Sequence, residues 1–155
     1  MDWTLFLIFF GACCAAAATG ALFQPGEWYE SLDKPSWTPP DWVFPVTWTI
    51  LYIAIAVAAA RVAKMEGAYL ALAFWSLQIA LNTLWTPIFF GLRRLKAGMI
   101  VIVALWVAVA GCLWTMMQLD TIAALLFAPY LVWVTIASAL NFSVMQRNPD
   151  VEPIT

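Results

Sequence analysis

Gln78, Asn82, Trp85 and Phe89 follow one another at intervals of four, three and four residues inside an otherwise apolar stretch. At 3.6 residues per turn they fall on one side of a helix. Two carboxamides so placed supply hydrogen-bond donors and acceptors, and the indole beside them adds a flat apolar surface with one N–H. The combination recurs. Trp48 and Tyr52 lie four apart, and Tyr130, Trp133, Ala137 and Asn141 share another face. The chemistry open to such faces is recognition: ligand pockets between helices are mostly apolar and aromatic with a few placed polar groups. Each stacked ring pair contributes about 0.5–1.5 kcal/mol beyond burial of area. Any one tryptophan is adequately explained by core packing or by the aromatic belt at a membrane surface. Trp48, Trp85 and Trp133 taken together with Asn82 and Asn141 point to a shared pocket for a flat, apolar molecule. Asn82 would offer a polar partner to a carbonyl or carboxylate, directly or through water. Conventional catalysis has no visible machinery: the chain has no histidine, no nucleophile–base pair and no metal or cofactor motif.

The elements that must position these residues follow from composition. Hydrophobic residues make up 65% of the chain and charged ones 10%, against roughly 25% charged in soluble domains, so the chain cannot cover a surface facing water. It reads as an integral membrane protein. A net charge of −2 with no basic block argues against nucleic acid as a partner. Cys13, Cys14 and Cys112 lie in apolar segments without CxxC spacing and read as small buried hydrophobes. Asp2 stands where an export signal would carry positive charge, so the first apolar segment is expected to be retained. Apolar runs of spanning length predict helices at about 4–23, 44–62, 68–90, 96–119 and 121–146. The expectation is an all-α membrane protein: one domain over 1–155, a single bundle of five transmembrane helices, and a long ordered loop between the first two.

That loop, 24–42, carries Glu27, Glu30, Asp33, Lys34 and Asp41 interleaved with Trp28, Tyr29, Trp37, Pro35, Pro39 and Pro40. Its aromatic content argues against disorder, and loops of this length tend to be lids or binding loops. It is expected to cap the helices, with Trp37 closing the pocket. Five basic residues (Lys34, Arg93, Arg94, Lys96, Arg147) fall on the loop side and two (Arg61, Lys64) on the other. The positive-inside rule therefore sets the loop and C-terminus in the cytoplasm and the N-terminus outside. Residues 147–155 read as a short polar tail. Small residues on the third helix (Gly67 with Ala71, Ala73 with Ala80) permit close approach of a second helix.

The loop pattern W-Y-x-x-L-x-K-P-x-W-x-P-P from Trp28 to Pro40, Trp48 after Pro45, Asn82-x-x-Trp85, and Pro129-Tyr130-x-x-Trp133 with Leu140-Asn141-Phe142 resemble the signature of the translocator protein family. The family is also called TspO/MBR, tryptophan-rich sensory protein or peripheral-type benzodiazepine receptor, and the likeness is to its bacterial members. It runs from Trp3 to about Arg147. It implies a multi-pass bacterial membrane receptor, sensor or transporter, a homodimer, that binds porphyrins such as protoporphyrin IX and haem, isoquinoline- and benzodiazepine-type ligands and, weakly, sterols. It implies regulation of tetrapyrrole metabolism with no bound cofactor or metal. An alternative is light- or oxygen-dependent degradation of protoporphyrin, with Trp48 and Trp133 as the working residues. By the same resemblance Trp37, Trp48, Tyr52, Asn82, Trp85, Trp133, Ala137 and Asn141 are the ligand-binding positions. The sterol motif of animal members is not matched: Tyr130 meets no basic residue until Arg147, where the motif needs one within five residues.

Overall fold

The computed structural model describes residues 2–151. Among them the chain forms six α-helices and no strand. Helix α1 (Trp3–Leu22) starts where Asp2 accepts hydrogen bonds from the Thr4 and Leu5 amides, satisfying donors that a helix start otherwise leaves free. A five-residue helix α2 (Glu27–Ser31) lies inside the loop. Helix α3 (Val43–Val62) carries Pro45 in its first turn, where a missing N–H costs nothing. Gly67, with φ of +81°, turns the chain into α4 (Tyr69–Thr86). Helices α5 (Leu95–Met117) and α6 (Thr121–Arg147) complete the fold. Asp120 caps α6 through the Ile122 and Ala123 amides.

Two expectations about the elements need correction. Among the described residues there are six α-helices, because part of the loop is itself helical. The third long segment is not one α-helix to residue 90: α4 ends at Thr86 and a π-helical turn occupies Pro87–Gly91. The cause is Pro87, which cannot donate to the i−4 carbonyl and crowds it. Beyond it the ladder resumes in wider rings, with the Leu92 amide on the Pro87 carbonyl at 2.8 Å. Four helices (α1, α3, α5 and α6) are long and apolar enough to cross a membrane. Helix α4 has 18 residues, about 27 Å at 1.5 Å each, and Ser76, Gln78, Asn82 and Thr83 dilute its apolar character.

The five long helices close a ring. Helix α1 packs on α3 and α4, α3 on α6, α6 on α5, and α5 back on α4. Lipid is as apolar as a leucine side chain, so close backbone approach and polar contacts must hold such an assembly. Both are present. Helix α3 buries Ala56, Ala58 and Ala59 completely, which lets neighbouring backbones draw near. The Trp75 indole N–H donates to the Ile55 carbonyl at 3.1 Å, tying α4 to α3. Ala71, read as permitting close approach of a second helix, is buried, with its carbonyl 3.5 Å from Cys112 Sγ of α5. Ala73 and Ala80 are exposed.

Candidate functional site

Helices α3, α4 and α6 bring Tyr52, Gln78, Asn82 and Tyr130 together in the core. Tyr52 Oη donates to Asn82 Oδ1 at 3.1 Å, Asn82 Nδ2 to Tyr130 Oη at 2.7 Å, and Tyr130 Oη to Gln78 Oε1 at 2.9 Å. The carboxamides face inward because lipid would offer them no partner. Gln78 and Tyr130 are both 0% exposed. Around this chain of bonds stand the rings. Trp48 lies 5.2 Å from Tyr52, 5.9 Å from Tyr130 and 6.5 Å from Trp133, the last pair perpendicular. Phe44 meets Trp133 edge-on at 5.6 Å. Two donors in this centre are buried without an acceptor, Gln78 Nε2 and Trp133 Nε1.

A second cluster sits nearer the loop. The Trp85 indole donates to Asn141 Oδ1 at 3.3 Å, and Asn141 Nδ2 donates to the Leu95 carbonyl at 3.1 Å. Trp85 stacks on Phe89 at 4.9 Å. Gly98 is needed beside them, since a Cβ there would lie 3.0 Å from Phe89 Cδ2 and 3.2 Å from Asn141 Oδ1. Trp85 and Phe44 pack against both the main core and the loop-side core, so the two clusters adjoin. Of the eight predicted positions, the structure gathers Trp48, Tyr52, Asn82 and Trp133 in the first and Trp85 and Asn141 in the second. Ala137 is partly buried against the main core. Trp37 is 49% exposed and makes no ring contact among the described residues. The cleft of about 460 Å³ beside α2 and a groove of about 230 Å³ between α5 and α6 are lined by none of the eight.

The loop is anchored over this end of the ring. Tyr29 and Leu32 are buried with Phe89, Leu95, Leu140 and Val144. Lys34 Nζ donates to the carbonyls of Tyr29 (2.7 Å), Glu30 (3.1 Å) and Leu32 (3.3 Å), which satisfies the end of α2. Burial, and then the Asp41 carboxylate, raise the Tyr29 phenol above its usual range, so it is neutral at physiological pH. Asn148, placed by sequence in a polar tail, grips the loop from the end of α6. It accepts from the Asp33 amide at 3.0 Å and donates to the Asp33 carbonyl at 2.9 Å, and Arg147 pairs with the Asp33 carboxylate at 3.5 Å. Periodicity could not have found this contact, which joins residues 115 apart. Among the described residues no group of three or more His, Cys, Asp or Glu could hold a metal ion.

An integral membrane protein with an all-helical ring, a docked aromatic loop and a buried amide–indole centre is the class these features define. Residues 7–147 match the TspO/MBR family, and the chain belongs to it. It is 55% identical to Protein CrtK of Rhodobacter capsulatus, covering 100% of this chain and 99% of the relative. It is 53% identical to the tryptophan-rich sensory protein of Cereibacter sphaeroides, over 96% and 94%. With the human translocator protein it shares 36% identity over 83% of this chain and 81% of that one.

Proposed function

We propose that the protein is a membrane receptor or sensor for porphyrin-type tetrapyrroles and other flat apolar ligands, held among Trp48, Tyr52, Asn82 and Trp133 under the loop. Relatives named as tryptophan-rich sensory protein and translocator protein support a role in sensing or translocation. The observation that carries the proposal is the pair of buried donors without acceptors among the described residues, Gln78 Nε2 and Trp133 Nε1, in the same centre as five aromatic rings. Buried polar groups are nearly always paired, so a centre with spare donors suits a ligand that brings acceptors. Trp48 and Trp133 meet edge to face, so binding requires them to part, and the loop controls that step. Isoquinoline- and benzodiazepine-type molecules, flat and with carbonyl acceptors, fit the same description.

In this proposal five helices span a bacterial membrane, the π turn completing the span begun by α4. The α2 side and the C-terminus face the cytoplasm, and Ala73 and Ala80 lie at a homodimer contact. A C-terminal reporter active only outside the cytoplasm would reverse the orientation. Ligand binding is tested by titrating protoporphyrin IX in the dark while following tryptophan quenching and porphyrin absorbance. Wild-type protein should bind, and Trp133→Phe, which keeps a ring but removes the indole N–H, should fold and bind more weakly. Equal affinity in the two would refute the site. The perpendicular Trp48–Trp133 pair favours one further arm: loss of porphyrin absorbance under light and air that disappears in Trp48→Phe and in Trp133→Phe would move the assignment to degradation.

A further inference from the structure

We propose that the cleft between α2 and the π turn holds the head group of a zwitterionic phospholipid, with its phosphate on Arg93 and its ammonium on Glu27. The cleft, about 460 Å³, is lined by Gln24, Glu27, Trp28, Ser31, Phe90 and Arg93, with Gly26 at its edge. Its size falls within the range of small-molecule sites, and it is separate from the ring-filled centre.

Three observations point to this occupant. First, one carboxylate and one guanidinium line the same cleft, yet neither forms an ion pair among the described residues; a ligand carrying both signs of charge satisfies both. Second, Arg93 has φ of +58°, the left-handed region that β-carbon crowding makes costly and that glycine ordinarily takes at the end of a helix. The chain is held there by the Leu92 amide on Pro87 and the Arg94 amide on the Ile88 carbonyl at 3.2 Å. A strained arginine in a position suited to glycine implies that its side chain is used. It lies 6.0 Å from the centre of the Trp28 ring, which leaves its donor edge free for a phosphate. Third, Leu22 and Leu92, at the end of α1 and next to Arg93, are large exposed apolar residues. The cleft therefore opens at the margin of the apolar belt, where acyl chains begin.

The test is native mass spectrometry of delipidated protein offered phosphatidylethanolamine, phosphatidylglycerol or inorganic phosphate. Wild-type protein should retain phosphatidylethanolamine in preference to phosphatidylglycerol, and millimolar inorganic phosphate should not displace it. Arg93→Gly should fold at least as well as wild type, since it relieves the backbone, yet hold the lipid about tenfold more weakly, the order expected for one lost charge-assisted contact. Arg93→Asn, which also tolerates the left-handed backbone, should do the same if the glycine variant is unstable. Glu27→Gln should abolish the preference between the two lipids. Full retention in both Arg93 variants, or equal retention of the two lipids by wild-type protein, would overturn the proposal. Displacement by phosphate would replace it with a site for free anions.

Discussion

Replacing Tyr130 with phenylalanine tests whether the amide–phenol chain holds α4 against α6. The hydroxyl makes two bonds, one accepted from Asn82 and one donated to Gln78. Hydrogen bonds between membrane helices average about 0.6 kcal/mol with a ceiling near 1.7, so two bonds set a range of roughly 1.2–3.4 kcal/mol on that principle. The Gln78 side chain decides where in the range the cost falls. Its Nε2 is already unpaired, and among the described residues Tyr130 is the one hydrogen-bond partner of its Oε1, so the variant strands a fully buried carboxamide. Leaving a buried polar group unmade is costlier than the average bond is worth, and we expect about 1.5–2 kcal/mol. Gln78→Leu, by contrast, removes the stranded group and leaves Tyr130 bonded to Asn82, so its own cost should stay within about 0.5 kcal/mol. In that background Tyr130→Phe loses only the Asn82 bond and should cost about 0.6 kcal/mol. The cycle therefore predicts a coupling near 1 kcal/mol, measured by reversible denaturation in mixed micelles with tryptophan fluorescence as the signal. An identical cost of Tyr130→Phe in both backgrounds would refute the reasoning.

Asn148→Ala should raise amide hydrogen exchange across 24–42 several-fold while leaving α3 and α5 unchanged; unaltered exchange in the loop would show that Tyr29 and Leu32 alone secure it. Acid should weaken the face opposite the loop. There the Asp2 carboxyl is held below its usual value by the Lys64 hydrogen bond and then the Leu5 amide. At Asp120 burial works the other way, but the Ala123 amide and Arg61 outweigh it. Both groups titrate lower folded than unfolded, so their contribution is complete above about pH 4 and is lost as pH falls through the folded values. Thermal midpoints from pH 6 to pH 3 should fall for wild type and fall less for Asp120→Asn. Leucine at both Ala73 and Ala80 should reduce crosslinked dimer, and an unchanged yield would place any dimer contact elsewhere.

Gln78, Asn82 and Asn141 were legible as inward-facing because carboxamides in an apolar helix have one tolerable direction, and all three are buried. The apolar runs likewise located the long helices to within a few residues. What periodicity could not supply was partnership between helices. It marks Tyr52 and Tyr130 as sharing faces with tryptophans, without saying that their hydroxyls bracket Asn82. Phe44 was read only as the start of a span, yet it touches Trp133, because a residue at a helix mouth gains its neighbours from the fold. The π turn escaped for a related reason: Pro87 signals a kink, but the wider rings that follow it depend on the Leu92 and Arg94 amides reaching the carbonyls of Pro87 and Ile88.

The grip of Asn148 on Asp33 also orders events during synthesis. Loop residues leave the ribosome early, whereas their partner follows 115 residues later, roughly 6–23 s at bacterial elongation rates of about 5–20 residues per second. Until α5 and then α6 have been made, Trp28, Tyr29 and Leu32 lack those helices to pack against, and the hydrophobic side of α2 must rest on the membrane surface or on an insertion factor. Docking of the loop is thus among the last steps of assembly. A chain that stops short of Asn148 would insert its helices and still carry an unfastened, tryptophan-rich segment that quality-control proteases can reach.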